Sequence, residues 1–384
     1  MNELRLVITG GGTGGHIFPG IAIAEELGSS CSLDVLWIGT GRDVEKKVLS
    51  KRPWQYQILK VRPIKGKGAV GLVKSFFSLP VSVIKALNML RRFKPNFVLG
   101  VGGYVSGPVV LAARLLGITT AIHEQNFLPG FANKAASRFA DVIYTSFQGS
   151  SQYFKGKKVH CLGNPVRRQI LEDAMDLSVS VDPLRQFHIL VLGGSQGASG
   201  LNRIVSSALK ILHQSGLKFQ AIHQSGPDEF SVITDSYRSV GMNVKVERFI
   251  ERIGIAYSWA DLIICRAGAT TLAEITAVGK PAICIPYPYA ADGHQDLNAQ
   301  TLCEAGAALC FKERDLGAVS LASNIEALME DPGRLLEMAM RSKGLGNPDA
   351  AKDIAASILR LCSADNNKVT DLRKIEGEHL KSHV

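Results

Sequence analysis

Four times in this chain of 384 residues, a short apolar run ends in glycine and leads directly into a helical pattern. The runs are Leu4–Ile8 before Gly10, Asn96–Val101 before Gly102, His188–Leu192 before Gly193 and Asp261–Arg266 before Gly268. Two further apolar runs, from Thr119 and from Pro281, lie between helical segments in the same way. Apolar strands that alternate with helices cannot be hairpins. They require parallel sheets with right-handed crossover helices on both faces. The turns at Gly10 and Gly193 read as the openings of two similar halves, and the polar stretch Glu172–Asp182 reads as the linker. The expected fold is therefore α/β, with two doubly wound domains facing one another across a cleft. Ligands of such sheets bind beyond the carboxyl ends of the strands, where all the glycine turns fall.

The first turn is unusually bare, with five glycines in the six positions 10–15. A strand, a turn without side chains and a helix N-terminus make an anion site, because backbone N–H groups and the helix dipole converge there. The spacing Gly10-x-Gly12-x-x-Gly15 also fits a dinucleotide fingerprint. That fingerprint needs an acid at the end of the second strand, and here the strand ends in Thr40-Gly41-Arg42. No Lys-Ser or Lys-Thr pair follows the glycines, which removes a P-loop. His16 stands in the same stretch, and a phosphate cradle has no need of an imidazole, so chemistry is expected there.

Net charge is +10, and its placement is more informative than its size. From Lys46 to His123 there is no Asp or Glu, while 14 Lys or Arg fall in the window. Within it, Phe76, Phe77, Leu79, Val83 and Ile84 are flanked by Lys65, Lys67, Lys74 and Lys85. Apolar side chains among cations, with no acid nearby, suit the surface of an anionic membrane. Nucleic acid is not expected, since interleaved aromatics and a reading helix are missing. The N-terminus runs straight into a strand, so no secretory signal is expected, and no run is long and apolar enough to span a bilayer. The seven cysteines show no C-x-x-C spacing and read as reduced thiols.

Further polar groups fall at strand ends. Ser195, in Gly193-Gly-Ser-Gln-Gly-Ala, can bond a phosphate oxygen beside backbone N–H groups. Thr270 and Thr271 open a helix after Cys265-Arg266, and Glu274 lies one turn in, where it could accept a ribose diol or serve the helix dipole. Gln295 and Asn298 suit sugar hydroxyls, although Asn298 could instead cap a helix. His123-Glu124-Gln125-Asn126 ends another strand, and Glu124 could be a cap. No set of His, Asp or Glu has metal-ligand spacing, and no metal or other cofactor is expected.

Taken in order, GGTGGH, GGYVSGP, HEQN, GNPVR, GGSQGA, C-R-x-G-A-x-T-x-x-E and D-x-x-Q-x-x-N resemble the MurG family of N-acetylglucosaminyltransferases. The resemblance runs from about Leu4 to Leu361. It implies the GT-B architecture of two Rossmann-like domains: residues 1–165 for acceptor and membrane, and 166–345 for UDP-GlcNAc. A helix over 346–363 would pack back on the first domain, and 364–384 would be a polar tail. The implied reaction is inverting transfer of GlcNAc from UDP-GlcNAc to the muramyl 4-hydroxyl of lipid I, giving lipid II for peptidoglycan. The implied place is the cytoplasmic face of the bacterial membrane, with cell-wall synthesis or division proteins as possible partners. Carried over residue by residue, His16 and Tyr104 fall at positions linked to catalysis. Substrate contacts fall on Thr13, Gly14, Gly15, Asn126, Arg167, Ser195, Ile250, Ala269, Thr270, Thr271, Leu272, Ala273, Glu274 and Gln295. His294 stands where some members carry Gln, and Thr270 where others carry a larger apolar residue. Two rival readings share these features: a UDP-GlcNAc 2-epimerase on the same fold, and a non-catalytic membrane tether for a glycosyltransferase. The basic apolar window speaks against the first. The presence of both halves, with Glu274 and Gln295, speaks against the second.

Overall fold

The computed structural model describes residues 3–61, 69–175, 186–194 and 197–363, and of 69–78 the backbone alone. The chain divides into two compact units. One comprises the chain up to Gln125, Pro129–Pro165 and the chain from Asp349, and the other comprises Asn126–Leu128 and Val166–Pro348.

The first unit alternates β1 (Leu4–Gly10), α1 (Gly14–Ser30), β2 (Leu33–Gly39), α2 (Asp43–Leu49), β3 (Gln55–Ile58), α3 (Ala69–Phe93), β4 (Phe97–Gly102), α4 (Ser106–Leu115), β5 (Thr119–Glu124), α5 (Phe131–Ala136), β6 (Val142–Thr145) and β7 (Val159–Cys161). Its strands form one sheet in the order β3-β2-β1-β4-β5-β6-β7, parallel throughout. The order reverses between β1 and β4, and that reversal opens a crevice beyond their carboxyl ends. The central strands are buried on both faces, which is why they read as unbroken apolar runs. One face packs Ile17, Ile21 and Leu27 of α1 on Trp37 and Leu99. The other packs Val83, Ala86 and Leu90 of α3 on Val98 and Leu36. Gly20 is glycine because α1 lies against Trp37: a β-carbon there would stand 2.8 Å from the indole.

The second unit holds α6 (Arg168–Met175), β8 (Phe187–Leu192), α7 (Ser199–Gln214), β9 (Phe219–Gln224), α8 (Phe230–Arg238), β10 (Lys245–Glu247), α9 (Ile253–Trp259), β11 (Leu262–Cys265), α10 (Ala269–Val278), β12 (Ala282–Cys284), α11 (His294–Glu304), β13 (Ala308–Cys310), α12 (Ala318–Glu330) and α13 (Pro332–Leu345). Its parallel sheet runs β10-β9-β8-β11-β12-β13, with the reversal between β8 and β11. A last helix, α14 (350–363), belongs to the first unit and places Ile354, Ala355, Ile358 and Cys362 in the core beside β1 residues. The Tyr144 hydroxyl bonds Ser357 of that helix at 2.9 Å.

Several boundaries differ from the sequence expectation. The stretch from Glu172 is not all linker, because α6 runs through Met175, its amphipathic face burying Ile170 and Asp173. β5 continues through His123 and Glu124, both buried. α1 begins at Gly14, so His16 lies on the first helical turn rather than in the loop. Among the described residues no helix is long and apolar enough to cross a membrane, and all seven cysteines are free.

Candidate active site

At the switch point of the first sheet, the ends of β1 and β4 are drawn together. The Gly11 N–H donates to the Gly102 carbonyl at 3.3 Å. The Ser106 hydroxyl, at the start of α4, lies 2.9 Å from the carbonyls of both Thr9 and Gly102. Gly102 has φ +108°, a left-handed backbone that favours glycine. A β-carbon there would stand 2.7 Å from Nδ1 of His16, so the imidazole lies directly on this glycine. Tyr104 is half-buried in the turn between β4 and α4. The His16 Nδ1 is 3.2 Å from the Gln125 side-chain oxygen.

The first glycine turn has an anion of its own, which sequence reasoning missed. Glu45, on α2, is buried. Its carboxylate accepts the N–H groups of Gly12 at 2.7 Å, Thr40 at 2.7 Å and Gly41 at 3.0 Å, and the Tyr56 hydroxyl at 2.8 Å. The Thr40 hydroxyl bonds it as well. Burial pushes the Glu45 carboxyl up, and the bonds from Thr40, Tyr56, Gly12 and Gly41 together hold it below the ordinary carboxylate range. The Gly12 N–H is thus committed to Glu45, and α1 starts just beyond it at Gly14, with Thr13 as its N-cap residue. Arg42 closes the arrangement from outside, donating to the Gly12 carbonyl at 2.9 Å.

In the second unit the glycine turn after β8 is fastened from below. The Gln224 amide donates to the Gly194 carbonyl at 3.0 Å, and its oxygen accepts the Ile250 N–H at 2.9 Å. One side chain thus ties the turn to the segment Arg248-Phe-Ile-Glu. Asn202, fully buried on α7, donates to Ser225 O at 2.9 Å and to Glu229. Its oxygen lies 3.1 Å from Nε2 of His223, an imidazole that burial pushes down to about 3.

Beyond β11, α10 starts at Ala269, with Gly268 as its N-cap residue. Glu274 is buried on its second turn. The Tyr257 hydroxyl donates to Oε2 of Glu274 at 2.8 Å, and Arg167 lies 3.7 Å from Oε1. Burial raises the Glu274 pKa, while Arg167 and the tyrosine hydroxyl oppose the rise. The dipole-only role open to Glu274 from sequence does not account for these two partners. Tyr257 is a second residue that the sequence did not flag. Arg266 donates to the carbonyls of Ile285 and Pro286 at 3.1 Å and pairs with Glu313. The following Tyr287 N–H donates to the Gln295 side-chain oxygen at 2.9 Å.

Asn298 does not offer its side chain to a sugar. It is fully buried, accepts the Phe127 N–H at 2.9 Å and holds the Asn126 oxygen at 3.1 Å and the Ala267 carbonyl at 3.2 Å. Its role is to seat Asn126–Leu128 in the second unit. Glu124 likewise acts within the protein, accepting from Gly130 at 3.2 Å and Asn133 at 2.9 Å at the start of α5. Ser195, Lys65 and Lys67 lie outside the described residues, as do the side chains of Lys74, Phe76 and Phe77. Leu79 is half-buried, Val83 belongs to the core and Ile84 is 57% exposed, so of the apolar window only part faces out.

Two doubly wound parallel sheets, one unit with an imidazole at its switch point and the other with a buried carboxylate beside a helix start, fit the GT-B fold, and the family models make the chain a glycosyltransferase. Residues 6–145 match the glycosyltransferase family 28 N-terminal domain, and residues 188–354 match its C-terminal domain. A relative from Myxococcus xanthus, a UDP-N-acetylglucosamine–N-acetylmuramyl-(pentapeptide) pyrophosphoryl-undecaprenol N-acetylglucosamine transferase, is 43% identical over 92% of this chain and 91% of its own. The crystal structure of Acinetobacter baumannii MurG superposes with a TM-score of 0.75 at 31% identity, covering 93% of this chain and 99% of that one. A UDP-GlcNAc 2-epimerase from Neisseria meningitidis superposes at 0.67 with 16% identity, over 93% of this chain and 100% of that one, a likeness of fold alone. The chain belongs to the MurG family and is an N-acetylglucosaminyltransferase.

Proposed function

We propose that this enzyme transfers GlcNAc from UDP-GlcNAc to the muramyl 4-hydroxyl of lipid I by direct displacement, with His16 as general base. The observation that carries the reading is the occurrence of both family halves in one chain, at family-level identity over nearly its whole length. A tether would have no use for Glu274 held by Tyr257 and Arg167.

The chemistry follows from those groups. A sugar hydroxyl is a poor nucleophile until a base removes its proton during attack. The acceptor oxygen attacks C1 of GlcNAc, its proton passes to His16 Nε2, and the C1–oxygen bond to UDP breaks on the opposite face. The α-linked donor gives a β-1,4 product. Charge grows on the leaving diphosphate, and the helix starts after β8 and β11 carry N–H groups suited to it. Ser195, Ala269, Thr270 and Thr271 are assigned there, with Leu272 and Ala273 completing the turn up to Glu274. Glu274 takes the ribose hydroxyls, the Ile250 backbone meets the uracil, and Asn126, Arg167 and Gln295 hold the donor. Thr13, Gly14 and Gly15 border the sugar in transit, and Tyr104 stands by the acceptor.

The membrane role rests on charge. The basic window with Lys65, Lys67 and Lys74, and Phe76, Phe77 and Leu79 among it, would bring the chain to an anionic cytoplasmic leaflet, where the lipid-linked acceptor lies. Cell-wall synthesis and division proteins are the expected company there. The test of the base is His16→Ala at saturating concentrations of both substrates. Turnover should fall by about a hundredfold or more, and near-normal turnover would move the base elsewhere.

A further inference from the structure

The residues behind His16 determine which of its nitrogens carries the proton. His123 is buried in β5, with Nε2 3.1 Å from the Gly163 carbonyl. A carbonyl only accepts, so Nε2 of His123 is the N–H. Burial holds this imidazole down to about 4, so near neutral pH its Nδ1 carries a lone pair. That Nδ1 is 3.0 Å from the Gln125 amide nitrogen. The same nitrogen lies 2.9 Å from the Val101 carbonyl and 3.2 Å from the His123 carbonyl. All three neighbours are acceptors, so the amide can sit only one way round, NH2 toward them and oxygen toward His16. The oxygen is 3.2 Å from His16 Nδ1. It can only accept, so Nδ1 of a neutral His16 must carry the hydrogen.

We infer that Gln125, oriented by His123 and the carbonyls of Val101 and Gly163, is the positioning residue that sets His16 in its Nδ1–H form, so that Nε2 holds the lone pair that takes the acceptor's proton. The inference rests on the reading of His16 as base. It assigns to Gln125 the part that a carboxylate plays in a Ser-His-Asp triad, by a neutral group. A neutral partner fixes tautomer and ring orientation without placing a buried charge beside the imidazole. A neutral His16 is what a base needs before each turnover. Buried Gln125 carries no charge to be neutralised, and its two N–H groups are placed among acceptors.

The test is nitrogen-15 histidine spectroscopy of the full-length protein above the imidazole range of pH. His16 should give a protonated Nδ1 and a bare Nε2, and His123 the reverse. This is the less common form of a free neutral imidazole, so chance does not favour it. In Gln125→Leu, His16 should shift toward the Nε2–H form, and kcat should fall about tenfold or more while KM for UDP-GlcNAc holds. An Nε2–H His16 in the unaltered protein overturns the inference, whatever the variant does, and so does an unchanged tautomer in a folded Gln125→Leu. The outcome for the base reading is separate. If His16→Ala keeps turnover while the spectrum is as stated, Gln125 still sets the tautomer and the base alone is reassigned.

Discussion

The carboxylate of Glu45 accepts the Gly12 N–H at 2.7 Å across 33 positions of sequence. This bond ties the first glycine turn to α2 and takes up the Gly12 N–H within the protein. Thr40, Gly41 and Tyr56 bond the same carboxylate, so the loops after β1 and β2 and the strand β3 share one anchor.

Glu45→Gln would place an amide NH2 among groups that are themselves donors. Hydrogen bonds to a charged acceptor contribute about 1.5–3 kcal/mol. A loss of about 3 kcal/mol lowers the melting temperature of a unit of this size by about 6–12 °C. Calorimetry checks it, and a melting point unchanged would show that the anchor is weak. Because the folded Glu45 pKa lies below its unfolded value of about 4.3, its contribution is complete above that value. It is lost as pH falls through the lower, folded value, so the difference between the two proteins should narrow in acid.

The ribose assignment of Glu274 predicts a graded series. Tyr257→Phe removes the hydroxyl that lies 2.8 Å from the carboxylate while leaving both charges. KM for UDP-GlcNAc should rise about tenfold, the equivalent of about 1.4 kcal/mol, with kcat little changed. Glu274→Gln should raise it further and should also narrow the preference for UDP-GlcNAc over its 2′-deoxy-ribose analogue. If the two donors remain as distinct in Glu274→Gln as in the unaltered enzyme, the carboxylate does not hold the ribose.

Gly102 gives His16 its place. A methyl at Gly102 would lie 2.7 Å from Nδ1, at φ +108°. Gly102→Ala should therefore displace the imidazole and lower kcat by about tenfold or more, with UDP-GlcNAc binding to the second unit retained. Steady-state kinetics beside calorimetric titration with UDP separates the two. Equal loss of binding and turnover would place the damage in the fold instead.

The basic window predicts affinity for anionic vesicles. Each cation near such a surface contributes about 1 kcal/mol. Neutralising Lys65, Lys67 and Lys74 together to Gln should weaken partitioning about a hundredfold, and salt should weaken it in the unaltered protein. Flotation with phosphatidylglycerol vesicles measures this, and unchanged flotation would remove these lysines from the membrane surface.

Much of this was legible in the sequence because it is local. Strand, glycine turn and helix follow one another within about twenty residues, and the apolar runs of doubly buried strands announce parallel sheets. The polar anchors were not legible, because each joins distant positions. Glu45 reads as one more charge on a short surface helix until β1 and β2 bring Gly12 and Thr40 to it. Tyr257 reads as core on α9, and only the packing of α9 near α10 turns its hydroxyl to Glu274. Asn298 sits in a motif of sugar-like composition, yet folding buries it and directs it at Asn126 and Phe127. Gln125 stood in a noted motif, but its task depends on Gly163, whose carbonyl orients it through His123.

The central claim is the transfer itself, and product analysis tests it most directly. Incubated with UDP-GlcNAc and a lipid I analogue, the protein should release one UDP for each β-1,4-linked disaccharide-lipid formed, and should leave UDP-GlcNAc intact when the acceptor is omitted. Conversion of UDP-GlcNAc to its 2-epimer without acceptor, or release of UDP with no disaccharide-lipid, would contradict it.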